Sequence, residues 1–417
     1  MKIISKEFFY GKFAKLGKNM EKRGVFMNNF TYDIGTRIHF GRDALDYIGE
    51  EAKKYTDKIL LTYGGGSIKK NGIYDKVIKE LEDASIEVFE LSGIQPNPRI
   101  DSVREGVRII KENNIGAILA VGGGSTIDAA KFMAAGACAD FDPWEFISEG
   151  RPMSPAIPLL TVLTMAATGS EMDCGGVITN PETKEKLSSG HADTRPKVSF
   201  LNPELTYTVP KFQTAAGSAD ILSHIFETYF NIDGTMYMLD RIMEALMKTV
   251  IKYGPIALKD PENYEARANL MWASSWAIND FISDSSKAAW TVHPIEHELS
   301  AFYDITHGLG LAILTPRWME YCLSEKTVHK FVDLGVNVFD LDKDQEDMEI
   351  ARQSIEKVRE FLFEDLGLDS NLRKIGIDAE HFEEMSIKAC GKDGVKKGFI
   401  DLRPADVKKI YEMCLED

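Results

Sequence analysis

The chain is poor in cysteine and histidine, and each scarcity excludes something. Its five cysteines, Cys138, Cys174, Cys322, Cys390 and Cys414, are scattered and include no Cys-x-x-Cys pair. That spacing offers neither a zinc knuckle nor a disulfide framework and suits a reducing compartment, so a cytoplasmic protein is expected. No apolar run approaches the length of a membrane span. Basic residues are outnumbered 49 to 65, a net charge of −16, which argues against nucleic acid or an anionic membrane as partner. Internal repeats and low-complexity linkers are missing. So is the Gly-x-Gly-x-x-Gly fingerprint of a standard dinucleotide-binding unit.

What remains is ordinary globular material, 44% hydrophobic and 27% charged. A chain of 417 residues exceeds what one core usually supports, which predicts two domains. Residues 1–26 carry seven basic and two acidic side chains, against the trend of the whole. Lacking the apolar centre of a secretory signal, they read as a basic leader outside the core fold.

Residues 27–208 read as alternating strands and helices. Short apolar runs at Lys58–Tyr63, Ile86–Leu91, Gly116–Val121 and Ile157–Thr164 alternate with helical patterns to Asp83, at Ser102–Asn113 and at Thr126–Ala137. This rhythm predicts an α/β unit with a mostly parallel sheet and helices on both faces. Over residues 209–417 the period shifts to about 3.6, clearest at Asp240–Ile251, Tyr264–Phe281 and Met348–Leu366, which predicts an all-helical second domain.

Two strands end in the same text, Gly64-Gly65-Gly66-Ser67 and Gly122-Gly123-Gly124-Ser125. Glycines after a strand let the backbone approach a phosphate, and the next helix offers its N–H groups. The second loop, running straight into a helix, is the better phosphate cradle. The first bears on which dinucleotide binds. An acid there would repel a 2′-phosphate; this chain has Ser67 with Lys69 and Lys70 behind it, which favours NADP and leaves NAD open.

Only 8 histidines occur, and four of them (His224, His293, His297 and His307) fall in two segments. Asp220 and His224 are four apart in a helical stretch and share a face. One carboxylate with the imidazoles of His224, His293 and His307 suits divalent iron or zinc. Pro294 fits a helix first turn and places His293 at a helix entrance. Asp128 and Lys131 read as a surface or packing pair, and Glu171, Cys174 and Glu296 carry no assignment.

With both halves read, the chain resembles the iron-containing (group III) alcohol dehydrogenase family, in its NADPH-dependent butanol dehydrogenase and broad-range aldehyde reductase branch. The texts that carry this are Gly122-Gly-Gly-Ser-Thr-Ile-Asp-Ala-Ala-Lys131, Thr164-Met-Ala-Ala-Thr-Gly-Ser-Glu171 and the His293–His307 segment. The resemblance implies a dinucleotide-binding α/β domain and a helical metal-binding domain on the dehydroquinate synthase-like plan, with metal in the cleft. The ligand positions match Asp220, His224, His293 and His307, and His297 matches an additional histidine near the nicotinamide. Cofactor positions match Gly64 to Ser67, Asn97, Gly122 to Ser125, Thr164, Thr168, Ser170, Lys186 and Tyr207. Homodimers are common in the family. Met165-Ala166 departs from it where proline often precedes Ala-Thr-Gly.

The chemistry expected is hydride transfer between NADP(H) and a small alcohol or aldehyde such as butanol or butanal. His297 would relay a proton or orient a ligand. Ile295, Leu299, Phe302 and Tyr303 suggest a small neutral or apolar substrate. A dehydroquinate synthase- or glycerol dehydrogenase-like enzyme, or a non-enzymatic metal- or nucleotide-binding protein, remains the alternative.

Overall fold

A computed structural model of the chain describes residues 30–231, 237–283 and 289–417; the basic leader lies outside the described residues. Six parallel strands form one sheet: β1 (Arg37–Phe40), β2 (Lys58–Tyr63), β3 (Glu87–Leu91), β4 (Ala117–Gly122), β5 (Leu159–Leu163) and, after the pair named next, β8 (Val198–Leu201). Their order is β1-β8-β5-β4-β2-β3, while β6 (Gly175–Asn180) and β7 (Glu185–Gly190) make a separate antiparallel hairpin. Both faces of the sheet are covered, as the uninterrupted apolar runs require. Leu60, Ile118 and Ala120 face helices α2 (Ile100–Asn113) and α3 (Gly124–Cys138). Ile59, Leu61, Leu119 and Val121 face α1 (Ile73–Asp83).

Strand order decides where a ligand can sit. From β2 the chain moves outward to β3, whereas from β4 it moves the other way to β5. The two glycine loops therefore flank the point where the order reverses, the place at the carboxyl ends of the strands where sheets of this kind bind ligands.

After Leu201 the long elements are helices: α4 (Lys211–Tyr229), α5 (Tyr237–Lys259), α6 (Tyr264–Trp276), α7 (Val292–Tyr303), α8 (His307–Cys322), α9 (Val328–Val338), α10 (Asp347–Arg359), α11 (Phe382–Cys390) and α12 (Pro404–Met413). Every residue of α4 from Thr214 to Tyr229 is buried, so it is the central rod of this half. None of the helices among the described residues is long and apolar enough to cross a membrane.

Several expectations need correction. The helix expected to run to Phe281 stops at Trp276, and the one expected to reach Leu366 is α-helical only to Arg359, widening into a π turn over Glu360–Asp365. Strands β1, β6, β7 and β8 were not anticipated. Val177-Ile-Thr-Asn180 and its mate across the turn are short and half polar, which hides a hairpin from an apolar-run reading. Of the surface-or-packing reading of Asp128 and Lys131, the surface half fails. Lys131 is fully buried and donates to the Gly175 carbonyl. Asp128 accepts from Ser170 Oγ at 2.5 Å and Val177 N at 3.0 Å, so both tie α3 to neighbouring segments rather than to each other.

Candidate metal centre and dinucleotide crevice

An all-buried helix such as α4 should be apolar throughout, yet it carries Asp220, His224 and Glu227 at i, i+4 and i+7 on one face. Buried titratable groups in that position must be paired or must ligate. Facing them are His293, second residue of α7, and His307, first residue of α8. The short break between those helices lets both imidazoles reach α4. Gly308 makes this close: a Cβ there would fall 2.0 Å from the Ala216 carbonyl oxygen, so only glycine lets α8 start against α4.

The expected ligands converge on one oxygen. Nε2 of His224, His293 and His307 lies 3.7, 3.8 and 3.8 Å from Asp220 Oδ1. Those separations are too long for hydrogen bonds. Asp220 Oδ1 and His293 Nε2 are buried with no hydrogen-bond partner among the described residues. A hard oxygen and a borderline nitrogen, both buried and unsatisfied, with two more imidazole nitrogens at the same distance from that oxygen, fit a divalent cation. The ligand atoms of Asp220, His293 and His307 all lie within 4.8 Å of one another, and His224 joins the set through Asp220.

Charge follows from this packing. Burial pushes the Asp220 carboxyl up, but the imidazoles, His224 foremost, outweigh it and hold it at about 2. Burial, helped by the His293 charge, outweighs Asp220 and drives His224 down to about 4. His293 goes the other way, to about 9, because Asp220 and Glu227 overcome its burial. Burial, then the Lys186 cation, pushes His297 and His307 well below the usual imidazole range.

Two carboxylates escaped the sequence reading. Glu227 Oε1 accepts from His293 N at 2.8 Å and lies 2.9 Å from His293 Nδ1, while Oε2 accepts from Thr291 N at 2.7 Å. The carboxylate accepts from Nδ1–H, so a cation at the centre would take the Nε2 lone pair in place of the second proton that Asp220 and Glu227 favour. Glu296, fully buried, contacts His307 Nδ1, and Ser300 Oγ donates to its other oxygen at 2.5 Å. The signal for Glu227 was its seven-residue spacing from Asp220. Glu296 follows His293 by three.

His297 stands beside the set without a hydrogen bond to either ligand imidazole; its ring centroid is 6.5 Å from that of His293 and 5.5 Å from that of His307. Trp290 packs edge-on against His293 at 4.7 Å and lies tilted against His224 at 5.6 Å. The apolar residues expected near the substrate lie elsewhere: Ile295 and Leu299 are buried in the helical core, and Phe302 and Tyr303 pack on His381.

The opposite wall is mostly backbone. Gly122 ends β4, and Gly123 and Gly124 lead into α3, whose first turn has no side-chain cap. Thr164 N donates to the Gly122 carbonyl at 3.0 Å. A Cβ on Gly124 would sit 2.3 Å from Thr168 Oγ1, so the Thr164–Ser170 loop lies directly on this turn. Ser125 follows in α3, and Ser170 is held by Asp128. Gly64 to Gly66 and Ser67 follow β2, with Gly93 N on the Gly64 carbonyl at 3.0 Å. Lys69 is engaged: its Nζ lies 3.5 Å from Glu90 Oε2 and 4.3 Å from the Tyr74 ring centre. Tyr207 closes the turn Pro203–Thr206 ahead of α4. Two expected cofactor positions also touch the helical half. Lys186 Nζ is 3.4 Å from His307 Nδ1 and 3.6 Å from Glu296 Oε2, and Asn97 Nδ2 donates to Asp304 Oδ1 at 2.9 Å.

Residues 35–203 match the family model "Iron-containing alcohol dehydrogenase", and residues 214–415 match "Fe-containing alcohol dehydrogenase family, C-terminal". NADH-dependent butanol dehydrogenase B of Clostridium acetobutylicum is 51% identical over 93% of this chain and 99% of its own length. The NADPH-dependent aldehyde reductase YqhD of Escherichia coli is 37% identical over 84% and 90%. Among solved structures, NADH-dependent butanol dehydrogenase A from Thermotoga maritima superposes with a TM-score of 0.88 at 37% identity, covering 94% of this chain and 99% of that one. The chain belongs to the iron-containing alcohol dehydrogenase family.

Proposed function

We propose that the protein transfers a hydride between NADP(H) and a small alcohol or aldehyde of the butanol/butanal type, beside a divalent iron held by Asp220, His224, His293 and His307. The observation that carries this reading is the unsatisfied Asp220 oxygen ringed by three imidazole nitrogens at 3.7–3.8 Å. When bound, iron supplies Lewis-acid stabilisation of the charge developing on a carbonyl oxygen, zinc would do the same, and the dinucleotide supplies the hydride.

The chain's own residues do the rest. Glu227 and Glu296 meet Nδ1 of His293 and His307 and so turn Nε2 of each towards the metal. The Gly122–Ser125 turn and the Thr164–Ser170 loop cradle the diphosphate and nicotinamide ribose. Because Glu227 and Glu296 already orient the ligands, His297 is left for proton relay; burial and the Lys186 cation keep its imidazole neutral and a weak base, so it would pass an alcohol proton onward rather than hold it. Trp290 gives an alkyl chain an apolar wall next to His293.

Preference for NADP(H) is supported by the absence of a carboxylate in Gly64–Ser67 and by Lys70. The pairing of Lys69 with Glu90 weakens the same argument, and NAD(H) is the competing choice. A homodimer is supported by the open edge strand β1, whose Phe40 is 39% exposed against Trp272. The deciding experiment is an aldehyde panel from acetaldehyde to hexanal with NADPH and with NADH, on protein of measured metal content. Metal-proportional turnover with butanal near the optimum is expected; turnover independent of metal would refute the reading.

A further inference from the structure

Between α7 and α8 the chain turns at Asp304, which adopts a left-handed conformation (φ 51°) three residues before His307. Its side chain points across the crevice to the α/β half. Oδ1 accepts from Asn97 Nδ2 at 2.9 Å, Oδ2 accepts from Arg99 NH2 at 2.9 Å, and Asn97 Nδ2 also reaches the Ile305 carbonyl at 3.3 Å. Asn97 is itself left-handed (φ 50°), so two uncommon backbone conformations face each other across the gap. The turn bearing Asn97 and Arg99 is anchored in its own half, since Thr179 N of β6 donates to the Pro98 carbonyl at 2.8 Å. From the same hairpin Lys186 reaches Glu296 and His307. The α/β half thus holds both the turn before His307 and, through Lys186, His307 itself.

This contact is a poor candidate for stability alone. Asp304 is 60% and Arg99 21% exposed, and ion pairs of such exposure contribute roughly 0–1 kcal/mol. It is better suited to geometry. Hydride transfer needs the reacting atoms at about 3–3.5 Å, and a shift of about 1 Å can cost about 10²-fold in rate.

We propose that Asp304 is a positioning residue: clasped by Asn97 and Arg99, it sets the separation between the His307 wall and the dinucleotide wall during hydride transfer. The inference rests on the functional reading above. Its test compares Arg99→Leu and Asp304→Asn, neither of which touches His307, with Arg99→Lys as the conservative variant. Iron content, kcat, KM and the primary isotope effect with 4-deuterated dinucleotide are measured for each. Expected are wild-type iron content, a fall in kcat of about tenfold, a larger isotope effect, and recovery in Arg99→Lys. In the unaltered protein, 1 M salt should move kcat towards the Arg99→Leu value by screening the same pair.

An unchanged kcat and isotope effect in both variants would overturn the clasp. So would an activity loss that merely tracks lost iron or is confined to KM. Should a variant fail to fold, the salt titration of the unaltered protein decides: a kcat indifferent to salt refutes the proposal. An unaltered protein that reduces no aldehyde would instead sink the functional reading, and this inference with it.

Discussion

The two walls of the crevice are built from different material. On the α/β side the working groups are backbone: glycine turns at β2 and β4 and a loop pressed onto Gly124. On the helical side they are side chains planted in the core, with Asp220, His224 and Glu227 on a helix that has no exposed residue between Thr214 and Tyr229. Backbone walls tolerate substitution of most neighbours but are sensitive to added bulk or charge. A side-chain wall depends on each member, because removing one leaves the others buried and unpaired. The first wall suits a large cofactor that comes and goes; the second suits an ion that stays.

The sharpest way to break this comparison is His293→Ala. Iron and butanal reduction should both be lost, with kcat/KM down by about 10³-fold or more, while dinucleotide binding followed by NADPH fluorescence survives. Loss of both functions together would mean that the walls are not separable. Next in size is Glu227→Gln, which keeps an acceptor near the His293 and Thr291 backbone but loses the charge on Nδ1. Iron affinity, measured by chelator competition, should fall by about 10–100-fold.

A charge placed on the backbone wall sharpens the contrast from the other side. Ser67→Asp should lower the NADPH/NADH ratio of kcat/KM by about tenfold at constant iron content, through repulsion of a 2′-phosphate; an unchanged ratio would dissociate the first glycine loop from cofactor choice. The smallest effect concerns Glu298 on α7, which burial holds up to about 7 and whose Oε2 has no hydrogen-bond partner among the described residues. A carboxyl raised in the folded state disfavours folding increasingly as pH climbs from its ordinary 4.5 to about 7, then by a constant amount. Glu298→Gln should therefore melt a few degrees higher than the parent at pH 8 and no higher at pH 4.

How much could be read in the text follows from the same division. Gly-Gly-Gly-Ser after a strand is legible because backbone approach demands a residue type, and the ligand set because His224, His293 and His307 are rare residues and Asp220 stands one helical turn before the first of them. Glu227 and Glu296 were not legible, since in a chain with 65 acidic residues another glutamate carries no signal until its neighbours are known. The hairpin that delivers Lys186 was missed for want of an apolar run. Ile295 and Leu299 misled because an apolar residue beside a ligand histidine can equally face the core, as both do. Asn97 and Lys186 are subtler: read as cofactor positions, they meet Asp304, Glu296 and His307 of the helical half.

Metal-stripped protein titrated with ferrous iron, read by butanal reduction and by NADPH binding in the same samples, tests the account most directly. Activity should rise linearly and saturate at one ion per chain, with NADPH binding unchanged throughout. Full reduction of butanal before any iron is added would contradict it.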